Sequence, residues 1–172
     1  SQCSIQLMQI INDILDFTKL STGNMKINPE CISIEQIIQN ITDTLDHSIK
    51  QKKHSCQFII SDNIPKFIVT DKQKLIQIII NLLSNAINYT PPNGKIITNI
   101  DYKNNILFVS VQDNGIGITP KDQCKLFNSF VRINPTSPKS GTGLGLAISK
   151  KLIEILKGDI KVKSTFNVGS TF

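Results

Sequence analysis

Residues 71–90, DKQKLIQIIINLLSNAINYT, decide how the rest of the chain is read. Leu75, Ile76, Ile78, Ile79, Ile80, Leu82, Leu83, Ala86 and Ile87 set apolar side chains almost all the way round a helix, and such a helix is buried. Asp71 can cap its first turn, and Pro91-Pro92 stops it. Yet Gln77, Asn81, Asn85 and Asn88 recur at spacings of four, four and three, so they stack into one polar stripe. Asn is a mediocre helix former, and a buried amide without a partner costs about 1 to 3 kcal/mol. The stripe therefore faces either solvent or a polar ligand, and amide oxygens are groups that a hard cation such as Mg²⁺ accepts.

Working outward, 172 residues with 40% hydrophobic and 19% charged content describe one globular α/β domain. No apolar run approaches the roughly 20 residues of a membrane span, and the opening SQCSIQLMQ is neither a signal nor a transit segment. A cytoplasmic location is expected, with any membrane anchor belonging to a parent protein. Cys3, Cys31, Cys56 and Cys124 are scattered without a CxxC, so neither zinc nor a disulfide framework is expected. The net charge of +6 comes almost entirely from lysine, spread along the chain. Base readers rely on Arg forks and stacking aromatics; an anionic nucleotide suits this chain better than nucleic acid.

The N-terminal segment, 1–21, has Leu7, Ile10, Ile14 and Phe17 at helical spacing, with Ile11 and Leu15 beside them, as in a coiled-coil seam or a core-facing stripe. Thr22-Gly23-Asn24 ends it. Residues 25–34 predict an edge strand around Pro29, and Ser33 with Gln36 predicts a capping box for a helix carrying Ile34, Ile37, Ile38, Ile41, Leu45 and Ile49. His47 and His54, near its charged end, are expected on the surface. Short strands are predicted at 57–61 and 67–70, and longer ones at 95–102 and 106–112, with Asn104-Asn105 turning the hairpin.

Directly after that hairpin stands Asp113-Asn114-Gly115-Ile116-Gly117-Ile118. Its glycines let backbone approach a ligand, and a carboxylate at a strand end can accept from an exocyclic amine. A long polar loop follows, broken by Pro120, Pro135 and Pro138, and loops of that length usually cover a site. It ends in Ser140-Gly141-Thr142-Gly143-Leu144-Gly145-Leu146, whose glycines offer bare N–H groups at the start of a helix, 144–157, where phosphate binds. Arg132 and Lys139 in the loop are charges for a phosphate tail. There is no GxxxxGK[ST], no GxGxxG after a strand, and no protein-kinase HRD or DFG, so a nucleotide site here has another design.

In order and spacing, NLLSNAINYT, DNGIGI, LFNSF and GTGLGLAI resemble the N, G1, F and G2 boxes of the sensor histidine kinase catalytic domain, and residues 10–28 resemble the end of its dimerisation helix in hybrid kinases. The resemblance implies a Bergerat-type two-layer α/β sandwich. It would hold one mixed, largely antiparallel sheet with strands at Gln57, Lys95, Ile106 and Ile160, and three helices on one face. Residues 1–22 would be the end of the dimerisation helix and 23–172 the ATP-binding domain. By the same likeness Asn85 would hold Mg²⁺ with the triphosphate, and Asp113 would take the adenine amine. Tyr89 and Ile118 would line the pocket that Gly115 and Gly117 shape. Phe127, Phe130 and the loop to Ser140 would form the lid, and Gly141, Thr142, Gly143, Leu144, Gly145 and Leu146 would bring backbone to the phosphates. Thr171 would lie near the adenine.

The implied activity is an ATP phosphotransferase that donates the γ-phosphate to a His on a separate helix and, through it, to a receiver domain. The parent would be a homodimer and the bare fragment a monomer if its seam is too short. Related gyrase and chaperone ATPases activate water with a carboxylate one turn before the magnesium Asn; that place is Asn81, an amide that cannot act as a base, so hydrolysis is expected to be poor. Asn88 stands where a Lys or Arg is common, FNSF replaces FEPF, and the fragment is expected to lack its own phosphoacceptor His and to stop before the family's last strand would finish. The alternatives are a nucleotide-sensing degenerate kinase domain and a chaperone- or gyrase-like ATPase clamp.

Overall fold

The computed structural model describes residues 2–23, 25–131 and 142–172, with the side chains of residues 2–6, 9 and 10 left aside. Along the chain run α1 (Gln2–Ser21), β1 (Glu30–Ile32), α2 (Ile34–Gln51), β2 (Ser55–Ile60), β3 (Ile68–Thr70), α3 (Lys72–Tyr89), β4 (Lys95–Lys103) and β5 (Ile106–Asp113). Then come α4 (Pro120–Gln123), α5 (Gly145–Ile155), β6 (Lys163–Thr165) and β7 (Gly169–Thr171). A five-stranded sheet in the order β2-β4-β5-β7-β6 is parallel only between β2 and β4. This is the two-layer α/β sandwich that the sequence predicts.

Alternation along β4 explains the layering: Ile96, Thr98 and Ile100 are buried while Ile97, Asn99 and Asp101 stay partly open, so the helices cover one face. Leu75, Ile78, Ile79, Leu82, Leu83, Ala86 and Ile87 of α3 lie in the core with Ile37, Ile41 and Leu45 of α2 and Ile148 and Leu152 of α5. Burying each large aliphatic side chain contributes about 2 kcal/mol. Helix α3 begins as expected, with Asp71 Oδ1 accepting from Lys74 N at 3.1 Å. Asn104 and Asn105 both take positive φ, at 51° and 62°, as a tight hairpin with right-handed strands requires.

Strand β3, at the predicted 67–70 segment, lies outside the main sheet and pairs antiparallel with β1. Four expectations are corrected. The segment at Ile160 is not a strand; the strand lies at Lys163–Thr165, and Gly169–Thr171 forms one more strand between it and β5. Only Glu30–Ile32 of 25–34 is strand, since Pro29 has no N–H for a ladder. The capping box is absent, because the Ser33 hydroxyl donates to the Glu35 carboxylate instead of capping the first turn. His54 is buried, 8% exposed, where β2 starts beside the end of α3.

Among the described residues no helix is long and apolar enough to cross a membrane.

Candidate functional site

The polar stripe of α3 divides in two. Its first half is spent on neighbours: Gln77 Nε2 donates to Asp16 Oδ2 of α1 at 2.8 Å, and Asn81 Nδ2 donates to Gly145 O at 3.3 Å and Ser149 Oγ at 3.2 Å in α5. Its second half is open. Asn85 is half-buried and its amide has no hydrogen-bond partner among the described residues, while Asn88 and Tyr89 are exposed. An amide already desolvated on one side and unpaired on the other is suited to a ligand oxygen or a cation.

Asp113, at the end of β5, is 8% exposed. Its Oδ1 accepts from Gly115 N at 2.8 Å. Burial pushes its carboxyl above the usual carboxylate range, opposed by the backbone N–H groups of Gly115 and Ser170. A Cβ on Gly115 would lie 2.5 Å from Tyr89 O and 2.7 Å from Asp113 Oδ1, so only glycine lets the loop close between the strand end and the helix end. Ile116 N then donates to Tyr89 O at 3.2 Å. Gly117 has φ +62° and packs so tightly on the β6–β7 hairpin that a Cβ would meet Thr165 O at 2.0 Å.

The hairpin braces the same loop from the other side. Ile118, half-buried, donates its N–H to Ser164 Oγ at 2.8 Å, and Gln123 Nε2 donates to both Ile118 O and Ser164 O at 2.9 Å. Thr171 pairs with Gln112 one step from the Asp113–Ser170 pair. The two ends of the long loop meet, since Phe130 N donates to Gly143 O at 3.0 Å and Phe130 takes a positive φ of 63°. The exposed Phe130 ring sits edge-on to Phe17 of α1, with centroids 6.1 Å apart. Thr142 Oγ1 donates to Asp13 Oδ2 at 2.8 Å and accepts from Leu144 N at 3.2 Å. Leu144 is buried and Leu146 packs on the core, so at those two positions the backbone, rather than the side chain, is what a ligand could meet.

The structure thus gathers Asn85, Asn88, Tyr89, Asp113, Gly115, Gly117 and Ile118 around the C-terminal end of α3. It sets Thr142, Gly143, Leu144, Gly145 and Leu146 at the start of α5, joined to α3 through Asn81. Arg132, Lys139 and Gly141 lie outside the described residues. No three His, Cys, Asp or Glu side chains gather to hold a metal among the described residues, so a cation at Asn85 would rely on ligand oxygens for most of its shell. Sequence reasoning missed Ser164, Gln123, Ser149, Asp13 and Asp16. Each is an ordinary polar residue whose partner lies far along the chain, and no local pattern marks it.

A family profile described as histidine kinase-, DNA gyrase B- and HSP90-like ATPase matches residues 70–172. The chain belongs to this ATPase family. The matched stretch begins beside the Asp71 cap and contains both halves of the site. Among curated proteins the chain is 38% identical over 173 residues to hybrid signal transduction histidine kinase B of Dictyostelium discoideum, covering 96% of this chain and 9% of that protein. It is 36% identical over 168 residues to the sensor histidine kinase RcsC of Escherichia coli K12, covering 96% of this chain and 18% of that one. The chain therefore spans a small part of these relatives. Among solved structures, full-length ShkA in complex with AMPPNP superposes with a TM-score of 0.85 at 25% identity, covering 96% of this chain and 34% of that chain. The catalytic domain of histidine kinase ThkA gives 0.72 at 28% identity, covering 84% and 94%.

Proposed function

We propose that this ATPase-family chain binds Mg-ATP between the end of α3 and the Asp113–Ile118 loop and passes the γ-phosphate to a histidine on a separate helix, in a two-component phosphorelay. The observation that carries the reading is Asp113: a buried carboxylate with Oδ1 held by Gly115 N at 2.8 Å, in a loop that Ile116 N joins to the end of α3, the helix whose half-buried Asn85 amide has no hydrogen-bond partner among the described residues. The acid takes the adenine amine, Tyr89 and Ile118 flank the base, and the N–H groups from Thr142 to Leu146 face the phosphates at a positive helix end.

Bound Mg²⁺, held by Asn85 and phosphate oxygens, would supply charge neutralisation. The chain's residues supply position, which is most of what phosphoryl transfer requires. A ring nitrogen of the acceptor histidine forms the P–N bond, the bond to the β,γ-bridging oxygen breaks, and ADP leaves with that electron pair. Water is a poor competitor, because Asn81 is an amide whose Nδ2 is committed to Gly145 O and Ser149 Oγ. Residues 1–22 serve as the end of the dimerisation helix: Leu7, Met8, Ile11, Ile14 and Leu15 of α1 are exposed apolar residues on a helix that reaches the site through Asp13, Asp16 and Phe17. The phosphoryl group then goes to an aspartate of a receiver domain.

The test is calorimetry with Mg-ATP on the chain and on Asp113→Asn. Substituting the acceptor of a buried hydrogen bond is expected to weaken binding by about 1.5 to 3 kcal/mol, tenfold or more. Unchanged affinity would overturn the site. Labelled ATP mixed with a histidine-bearing helix bundle then separates the readings, since a kinase labels the bundle, an ATPase clamp releases phosphate without it, and a nucleotide sensor does neither.

A further inference from the structure

The last turn of α3 carries Asn85, Asn88 and Tyr89, and its carbonyls have no following turn to bond. From Ala86 to Pro91 each carbonyl nevertheless has a partner. Ala86 O accepts from Thr90 N at 3.0 Å, and Tyr89 O accepts from Ile116 N at 3.2 Å. Pro91 O accepts from Gly94 N at 3.0 Å and from the ring of His54, whose Nε2 lies 3.0 Å away and must therefore carry its proton. The remaining three, Ile87 O, Asn88 O (3.0 Å) and Thr90 O (3.4 Å), all accept from one ammonium, Lys52 Nζ.

That lysine is not part of α3, whose last turn contains no basic residue. It comes from the end of α2, and its backbone is anchored in turn by Asn93 N donating to Lys52 O at 3.0 Å. A cation at a helix C-terminus is favourable in itself, but its placement here is more specific. The carbonyls it holds, at 88 and 90, flank the one at 89 that receives the glycine loop. Tyr89 O also marks the boundary that a Cβ on Gly115 would cross at 2.5 Å. The helix end and the loop are joined at that carbonyl, and one ammonium keeps the peptide units on both sides of it from turning.

We infer that Lys52 is a positioning residue for the adenine end of the site, setting the Tyr89–Ile116 joint through which α3 and the Asp113–Ile118 loop share one geometry. The inference rests on the nucleotide reading above. It differs from two plainer roles, a helix cap that adds only stability and a cation that attracts the phosphate chain in place of the one missing at Asn88.

The experiment compares adenosine and Mg-AMPPNP, titrated by NMR and calorimetry, on the chain, Lys52→Met and Lys52→Arg. With the joint loosened, Lys52→Met is expected to weaken both ligands by the same factor, roughly five- to thirty-fold, and Lys52→Arg, which keeps a charge and several donors, to restore most of it. Loss for AMPPNP with adenosine unaffected would overturn the inference in favour of phosphate attraction. Equal affinity in a less stable variant would overturn it in favour of a cap. Should Lys52→Met not fold, amide exchange in the unaltered chain decides: Ile116 and Thr90 are expected to open together, and Ile116 opening alone would overturn it. If the unaltered chain binds neither ligand, the nucleotide reading fails first and this inference with it.

Discussion

Replacing Gly117 by alanine tests how tightly the glycine loop is seated. Its φ of +62° is a region where an L side chain costs about 1 kcal/mol or more. The larger cost is contact: the new Cβ would lie 2.0 Å from Thr165 O, 2.7 Å from Thr165 C and 3.0 Å from Phe166 Cα. All three are backbone atoms of the β6–β7 hairpin, which cannot rotate out of the way as a side chain can. Restoring an ordinary separation of roughly 3.5 Å moves the hairpin back by about 1.5 Å. That displacement breaks Asn167 N to Ile116 O at 2.7 Å, Ile118 N to Ser164 Oγ at 2.8 Å and Gln123 Nε2 to Ser164 O at 2.9 Å. At about 1 kcal/mol net for each bond, with the backbone strain added, the expected destabilisation is about 4 kcal/mol. Urea unfolding followed by circular dichroism reads it directly, and for a chain of this size the melting temperature should fall by about 8 to 16 °C. Gly145→Ala is the matched control, because its Cβ meets only the Asn81 side chain at 3.7 Å and alanine suits a helix better than glycine by up to about 1 kcal/mol. A Gly117→Ala loss below about 0.5 kcal/mol, within the range of an ordinary surface substitution, would refute the seating of the hairpin on the loop.

Burial holds the Asp113 carboxyl above the usual range against the pull of the Gly115 and Ser170 N–H groups, so its protonated form favours the fold; that contribution is present at low pH and lost as pH rises through the raised folded value. Asp113→Asn is accordingly expected to keep or raise stability at neutral pH while nucleotide binding falls, and a carboxyl found by NMR to titrate below ordinary aspartates would contradict this. Asp71 is the opposite case. Burial raises its carboxyl, but the Asn28 N–H at 2.9 Å, the Lys74 ammonium at 2.7 Å and the Lys74 N–H at 3.1 Å outweigh it, and the net direction is down. Its stabilisation is present above the ordinary aspartate range and lost as pH falls through the lowered folded value. Asp71→Ala is expected to cost about 2 kcal/mol in denaturant unfolding; a change under about 0.5 kcal/mol, the low end for losing an N-cap, would mean that the cap contributes little.

Legibility followed the range of the interaction. The apolar circumference of α3, its Asp71 cap and the Asn104-Asn105 turn are set by residues within a few positions of one another, and all three stand where the pattern put them. The Ser33 capping box failed at equally short range, because the hydroxyl turns to donate to the Glu35 carboxylate and its oxygen accepts no N–H of the first turn. Strand β7, Gly169–Thr171, carries no apolar alternation; it is a strand because Thr171 and Ser170 pair with Gln112 and Asp113 of β5 and all three of its residues pair with β6. His54 reads as a surface residue until the end of α3 covers it and supplies Pro91 O.

For the candidate site the division is the same. The sequence alone determined which residue types are available, their order, and that asparagines share one helical stripe, because a helix repeats every few residues and needs no distant partner to do so. Only the tertiary structure decided that the stripe splits, with Gln77 and Asn81 spent on α1 and α5 and Asn85 without a hydrogen-bond partner among the described residues. It alone brought Lys52, from a run of lysines at the end of another helix, onto the carbonyls of α3. An ammonium can satisfy any carbonyl within reach, so its partner is chosen by the packing of whole elements and leaves no trace in local spacing.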